Sequence, residues 1–352
     1  MNFETYLLEQ LKIHPSMEPR DFLKLCYQAA FGAEHLLADA EKAKAYLQEE
    51  YEKTAAADLP VYEQISENIC RVNLAAWKFH GLPLEWLFRM FVASFGKRDG
   101  GEERFRSYLE KTEKVLAEVG YPMEDWKSDL ADYLAEGIRP VHHSPAYREA
   151  EHPAYRIAEV QFLRLLPILK KAAEREDEKP FVIAIDGRAA SGKTTMTQQL
   201  KTILQAEVVQ MDDFFLPLEL RTAERFAQPG GNVHYERFAA EVLPYLSEKT
   251  PFSYRIFDCS KMDFGGERLV EAAKYRIVEG SYSCHPVFGR YADLTVFSDI
   301  DPEIQLERIR KRNGDAMAEM FQKRWIPLEE AYFAACAIRE KADLCLSAKT
   351  EK

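Results

Sequence analysis

No stretch of this chain is apolar for long enough to cross a bilayer. The most apolar segment, residues 84–95, is short and carries Glu85 and Arg89, whereas a membrane span needs about 20 apolar residues. The N-terminal MNFETYLLEQLK has two early acids and no apolar centre, unlike a secretory leader. A soluble, cytoplasmic protein without a membrane partner is expected. Cysteine is sparse: Cys26, Cys70, Cys259, Cys284, Cys336 and Cys345 are scattered with no CxxC pair, which argues against a disulfide framework or a Cys-based zinc site. The HExxH and HxxxH metal spacings are absent too. Positive charge is in deficit, with 47 Lys and Arg against 58 Asp and Glu and a net charge of −11. That balance speaks against general nucleic-acid binding. The chain has neither an internal repeat nor a low-complexity tract.

What is present is a 352-residue chain that is 47% hydrophobic, enough to build about two ordinary domains with real cores. Its most informative stretch is FVIAIDGRAASGKTTMTQQL, from Phe181 to Leu200. An apolar β-like run leads into Gly187-Arg-Ala-Ala190-Ser191-Gly192-Lys193-Thr194-Thr195, the GxxxxGK[ST] phosphate-loop (Walker A) pattern between a strand and a helix. Gly187 and Gly192 permit torsions that turn consecutive N–H groups around a phosphate. The helix that follows aims its positive end at the same anion. Lys193 is placed to reach the β- and γ-phosphates of ATP, and the Thr194 hydroxyl to ligate Mg²⁺.

The first half reads as helices, over residues 19–37, 41–53, 84–95, 103–119, 123–134 and 153–175, with Pro167 expected to end or kink the last. Around residues 61–74 the helical pattern weakens towards a loop or a short strand. The charged stretch KKAAEREDEK ahead of Pro180 marks a linker, dividing a mostly α-helical domain, 1–178, from a second domain, 179–352. There, strand candidates at 181–186, 207–211, 275–279, 294–298 and 342–347 alternate with helices at 193–204, 235–246, 302–312 and 327–339. This alternation predicts an α/β fold around a five-stranded parallel sheet, with its ligand beyond the carboxyl ends of the strands.

Each strand end is therefore searched for chemistry. The second ends in Met211-Asp212-Asp213-Phe214-Phe215, where a carboxylate would lie near the transferred phosphoryl group, as a base for a hydroxyl or as a Mg²⁺ ligand. The third ends at Glu279, a further candidate for the metal. A helix after Asp301 carries Arg308 and Arg312, which would neutralise charge on the phosphates. Two irregular regions, 216–232 and 255–266, are placed to form an acceptor pocket. The candidate contacts, with Asp213 and Phe215, are Arg221, Arg225, His234, Tyr235, Arg237, Arg255 and Asp258.

The order DGRAASGKTT, MDDFF, YRIFD, IVEG and an arginine-rich helix resembles the uridine kinase and phosphoribulokinase group of P-loop kinases, over the part after residue 178. The closest likeness is to bacterial uridine-kinase-like ATPases with an N-terminal helical extension. The resemblance implies a P-loop nucleoside-kinase-like fold with an arginine-bearing lid. It also implies ATP and Mg²⁺ as cofactors, with Asp212 as the base that activates the acceptor hydroxyl. Lys193 and Thr194 fall on the P-loop positions, and Glu279 on the acid that helps hold magnesium. Two base-reading features of uridine kinases are missing. Phe215 replaces an aromatic hydroxyl, and no histidine follows Asp258 before Met262. The expected activity is phosphoryl transfer from ATP to a small hydroxylated metabolite that the sequence does not name. The alternative is a nucleotide-dependent regulatory ATPase whose helical domain binds an effector or partner. Homo-oligomerisation is left open.

In the helical half, polar clusters occur at Gly32-Ala-Glu34-His35, at Glu67-Asn68-Ile-Cys-Arg71-Val-Asn73, and at His142-His143-Ser144 with Tyr147, Arg148, His152 and Tyr155. Three readings of them stay open: a metal site from Glu34, His35 and one of the histidine pair, a polar ligand pocket, or ordinary caps and hydrogen bonds.

Overall fold

The computed structural model describes residues 2–32, 40–94, 100–175 and 178–347. They fall into two compact units, Met1–Leu166 and Pro167–Lys352, dividing ahead of the charged Lys170–Lys179 stretch.

In the first unit the helices Phe3–Ile13, Pro19–Phe31, Gly101–Glu118 and Met123–Ala135 pack around Phe22, Leu25, Cys26, Phe105, Leu116 and Trp126. The helix Pro19–Phe31 starts with proline in its first turn and a reciprocal cap between Glu18 and Asp21, which satisfies amides a helix start leaves free. Its predicted continuation, with Glu34 and His35, lies outside the described residues. Strands β1 (Tyr62–Gln64), β2 (Ile69–Asn73) and β3 (Tyr155–Glu159) form an antiparallel sheet with β2 in the centre. This corrects the long helix expected over 153–175. Ile157 and Ala158 are buried and pair with Arg71 and Cys70, so a partner far away in sequence overrides the local helical spacing. Two short helices follow, Val160–Leu163 and Leu166–Ala173. Pro167 sits in the first turn of the second, where its missing N–H breaks no bond.

The second unit contributes β4 (Phe181–Gly187), β5 (Glu207–Gln210), β6 (Phe252–Asp258), β7 (Asp263–Val270), β8 (Tyr275–Glu279), β9 (Leu294–Asp299) and β10 (Leu344–Ser347). Five of these form a sheet in the order β10-β9-β4-β8-β5, every neighbouring pair parallel. β4 is buried from Val182 to Gly187, as expected of a central strand covered on both faces. β6 and β7 pair as an antiparallel hairpin, where a loop was expected at 255–266. Phe252 and Tyr254 are buried while Ser253 and Arg255 are exposed, an alternation that marks a strand with one dry face.

All five strands of the sheet run the same way, so their carboxyl ends share one edge. The register places Ile185 beside Glu279 and Glu279 beside Gln210. From β4 the chain passes to β5 on one side, and from β8 it crosses to β9 on the other. The crevice at this reversal is where open α/β sheets bind ligands.

Candidate active site

β4 ends in the loop. Gly187 has φ +135°, and a Cβ there would stand 2.1 Å from the Ser298 carbonyl oxygen of β9, so no side chain fits. Ala190 (φ +58°) and Gly192 (φ +94°) then turn the loop into the helix Lys193–Leu204. Among the described residues, the N–H groups of Gly192, Lys193, Thr194 and Thr195 meet no protein acceptor. Ser191 Oγ is buried and likewise without a partner. Lys193 Nζ is buried against the loop, donating to the carbonyls of Gly187 (2.7 Å) and Arg188 (2.9 Å) and to Ser281 Oγ (3.4 Å). Consecutive free amides at a helix start beside an ammonium form a phosphate cradle.

Residues that sequence reading missed hold this cradle in shape. Asp186, fully buried, accepts from the amides of Gly187 (2.7 Å), Tyr282 (3.0 Å) and Cys284 (2.9 Å) and from the Tyr332 hydroxyl (2.8 Å). Burial raises its carboxyl pKa and these donors pull it back. From the helix Ile326–Cys336, the buried Glu329 accepts from the Ala189 amide (3.0 Å) and from Ser281 Oγ (2.8 Å). Arg188 pairs with Glu330 (2.9 Å) and Asp299 (3.3 Å). The signals were the aspartate directly before the loop and the paired acids of PLEEAYF, but nothing local ties them to a loop so far away in the chain.

The acids beside the loop separate by partner. Asp213 is buried, and its carboxylate accepts from the Tyr254 hydroxyl (2.8 Å) and Arg268 Nε (3.0 Å) of the β6–β7 hairpin. Its backbone carbonyl takes the buried Arg237 guanidinium. Asp212 is exposed, and its carboxylate has no hydrogen bond or ion pair among the described residues. Surrounding protein mass raises its pKa, opposed by Lys193 and Arg312 and reinforced by Asp213. Glu279, at the end of β8, is buried and accepts from Thr194 Oγ1 at 3.3 Å. Its pKa is raised by burial first and by Asp212 as well, with Lys193 opposing. Asp212, Glu279, Thr194 and Lys193 thus form one cluster facing the cradle.

The helix Pro302–Asn313 approaches the loop through Gln305 Nε2, 3.1 Å from the Ala189 carbonyl, and Arg308 Nη1, 3.5 Å from the Ala190 carbonyl. Among the described residues the exposed Arg312 bonds Asn313 alone, and its charge acts on Asp212.

The proposed acceptor contacts are distributed unevenly. Arg221 bonds the Leu216 carbonyl and contacts the Cys259 thiol, which also senses Asp212. Phe215 pairs with Val233 across a single bridge. Arg225 is spent on its own loop, bonding Gly231, Val233, Tyr235 and Glu236 and lying over the Tyr235 ring. His234 caps the next helix through Arg237 N, 3.3 Å away. Arg255 pairs with Glu241 on the exposed side of the hairpin, and Asp258 closes the hairpin turn through Ser260.

The loop at 187–194 and the five-stranded parallel sheet define an α/β fold of the P-loop type. No protein-family model matches the chain. Similar solved structures include a possible uridine kinase from Bacillus stearothermophilus, 19% identical over 52% of this chain and 97% of that one, with a TM-score of 0.41. Another is the shikimate kinase of Bacteroides thetaiotaomicron, 17% identical over 48% and 86%, with a TM-score of 0.26.

Proposed function

We propose that the protein transfers the γ-phosphoryl group of ATP to a hydroxyl of a small metabolite. The observation that carries this reading is the contrast between the two adjacent acids. Tyr254 and Arg268 occupy Asp213, whereas Asp212 is accessible and unbonded beside Lys193. A raised carboxyl pKa makes Asp212 a better base than an ordinary surface aspartate.

The free amides at 192–195 and Lys193 suit the β- and γ-phosphates. Among the described residues no three His, Cys, Asp or Glu side chains are set to cage a metal ion. This is compatible with Mg²⁺, which typically takes one or two protein oxygens and completes its shell with phosphate and water. Thr194 and Glu279 are the oxygens that would hold it. When bound, Mg²⁺ draws charge from the phosphate oxygens.

In the transfer, the acceptor oxygen forms a bond to the γ-phosphorus as the bridging bond to ADP breaks. The acceptor proton passes to Asp212. Lys193 neutralises charge on the γ-phosphoryl group, and Arg308 and Arg312 would add to this from the neighbouring helix. Labelled ATP incubated with a panel of alcohols, sugars and nucleosides tests the reading. The expected result is acceptor-dependent ADP release with a mono-phosphorylated product identified by mass. Slow hydrolysis that no acceptor alters would contradict it and favour the regulatory ATPase.

A further inference from the structure

The first unit contains a concentration of positive charge that phosphoryl transfer does not use. Arg71, on β2, is buried with a relative exposure of 5%, and the side chains it bonds are neutral; the carboxylate that acts on it, Glu63, stands one step away on the Tyr6 hydroxyl (2.8 Å). Its Nε and Nη2 share Gln28 Oε1 (3.1 and 2.7 Å), Nη1 reaches the Tyr6 hydroxyl (3.4 Å), and its plane lies over the Tyr155 ring. A buried guanidinium with no carboxylate bonded to it directly is unusual, because desolvated charge is costly unless an opposite charge compensates it. Arg71 is also the strongest of the charges acting on Lys24, and Arg148 and Arg20 add to the repulsion.

The geometry brings these groups together. Arg20 and Lys24 stand one turn apart on the helix Pro19–Phe31 and reach the same segment, Arg20 Nε to the His142 carbonyl (3.0 Å) and Lys24 Nζ to the Val141 carbonyl (3.2 Å). Arg148 follows on the helix Pro145–Glu151. Its side chain makes no hydrogen bond or ion pair with any described residue. His142 feels Lys24, Arg148 and Arg20. The one acid in this group, Asp21, is already committed to His143 (2.7 Å), the Ser144 hydroxyl (2.7 Å) and amide (3.1 Å), and the Glu18 amide (3.0 Å).

We infer that Lys24, Arg71 and Arg148, flanked by Arg20 and His142, form a second ligand site, for a small molecule bearing a phosphate group. Guanidinium groups with an ammonium suit the geometry and charge of phosphate. The buried position of Arg71 suits a small ligand better than a flat polyanion. The ligand would add to the counter-charge that Glu63 and Asp21 supply only in part.

The test uses the full chain carrying Lys193→Ala, so that the loop at 187–194 does not take up the probe. Inorganic phosphate and glycerol phosphate are titrated calorimetrically at constant ionic strength. Saturable single-site binding is expected, weakened at least tenfold by Arg148→Gln and by Lys24→Met and unchanged by Lys114→Met, an exposed lysine elsewhere. Burial and the neighbouring cations lower the Lys24 pKa to about 8. The groups around its ammonium are Arg20, Asp21, Arg71, His142, His143 and Arg148. Binding near pH 8 should therefore take up a proton, read by repeating the titration in buffers of different ionisation enthalpy. Binding of both probes identifies a phosphorylated metabolite as the ligand class, and binding of inorganic phosphate alone identifies free phosphate. Non-saturating heats, equal competition by chloride, or affinity unchanged in Arg148→Gln would overturn the proposal. Arg148 is exposed, so its replacement should leave the fold intact.

Discussion

Asp186→Asn separates the role of the buried carboxylate from that of the phosphate loop it supports. Asp186 Oδ1 accepts the Gly187 and Tyr282 amides, and Oδ2 accepts the Cys284 amide and the Tyr332 hydroxyl. One carboxylate thus ties together the end of β4, the turn after β8 and the helix Ile326–Cys336. It also steadies Tyr282 at φ +77°, a conformation that costs a non-glycine residue on the order of 1–3 kcal/mol. Asparagine retains one oxygen and can satisfy only one pair of donors. The Tyr332 hydroxyl can rotate and accept from the new NH₂ group, but the Cys284 N–H cannot. Each hydrogen bond to a charged group contributes roughly 1.5–3 kcal/mol, and relief of carboxylate burial returns part of the loss. The net cost is about 2–4 kcal/mol, or roughly 4–16 °C in Tm for a unit of this size. Scanning calorimetry of the full chain measures it. A shift corresponding to less than about 0.5 kcal/mol would refute the reasoning, because the four donors would then not depend on a carboxylate.

Two glycines of the loop should respond differently to alanine. Gly187→Ala drives a Cβ into the β9 backbone at 2.1 Å and should cost roughly 3–6 kcal/mol. Gly192→Ala meets nothing within 4 Å and should carry only backbone strain, on the order of 1–3 kcal/mol; urea unfolding checks both. His143 gives a pH prediction. Burial, with Arg71 and Lys24 adding to it, lowers its pKa to about 4, while Asp21 opposes. The unfolded chain therefore takes up this proton first. Stability is fully present above about pH 6.5 and falls as pH drops towards 4, by up to about 3 kcal/mol. His143→Gln should flatten the slope of stability in that window, and an unchanged slope would assign it to other groups.

β4, β8 and β9 were legible in the sequence because they are buried on both faces and read as apolar runs. β8 was predicted at its observed limits and β4 one residue short. The helix Lys193–Leu204 was equally plain, since the loop motif fixes its start. β3 was not, because its strand state comes from pairing with β2, which local periodicity cannot see. The β6–β7 hairpin was hidden by an exposed face and by Gly265 and Gly266. Within the site, Lys193, Thr194, Asp212 and Glu279 were identifiable from motif and strand ends. Asp186, Glu329 and Tyr332 were not, because their role is to receive or give hydrogen bonds across long sequence separations. The contrast between a bonded Asp213 and an accessible Asp212 also needed structure, as it rests on Tyr254 and Arg268 arriving from the hairpin.

The claim that Asp212 is the proton acceptor is tested most directly by Asp212→Asn, assayed for phosphoryl transfer and for ATP affinity on the same preparation, with an acceptor found in the screen. The account predicts a fall in kcat of roughly 10²–10⁴-fold with ATP affinity within about threefold of the parent, since Lys193 and the loop amides remain. Equal loss of both would contradict it, and would assign Asp212 to holding the nucleotide or its metal.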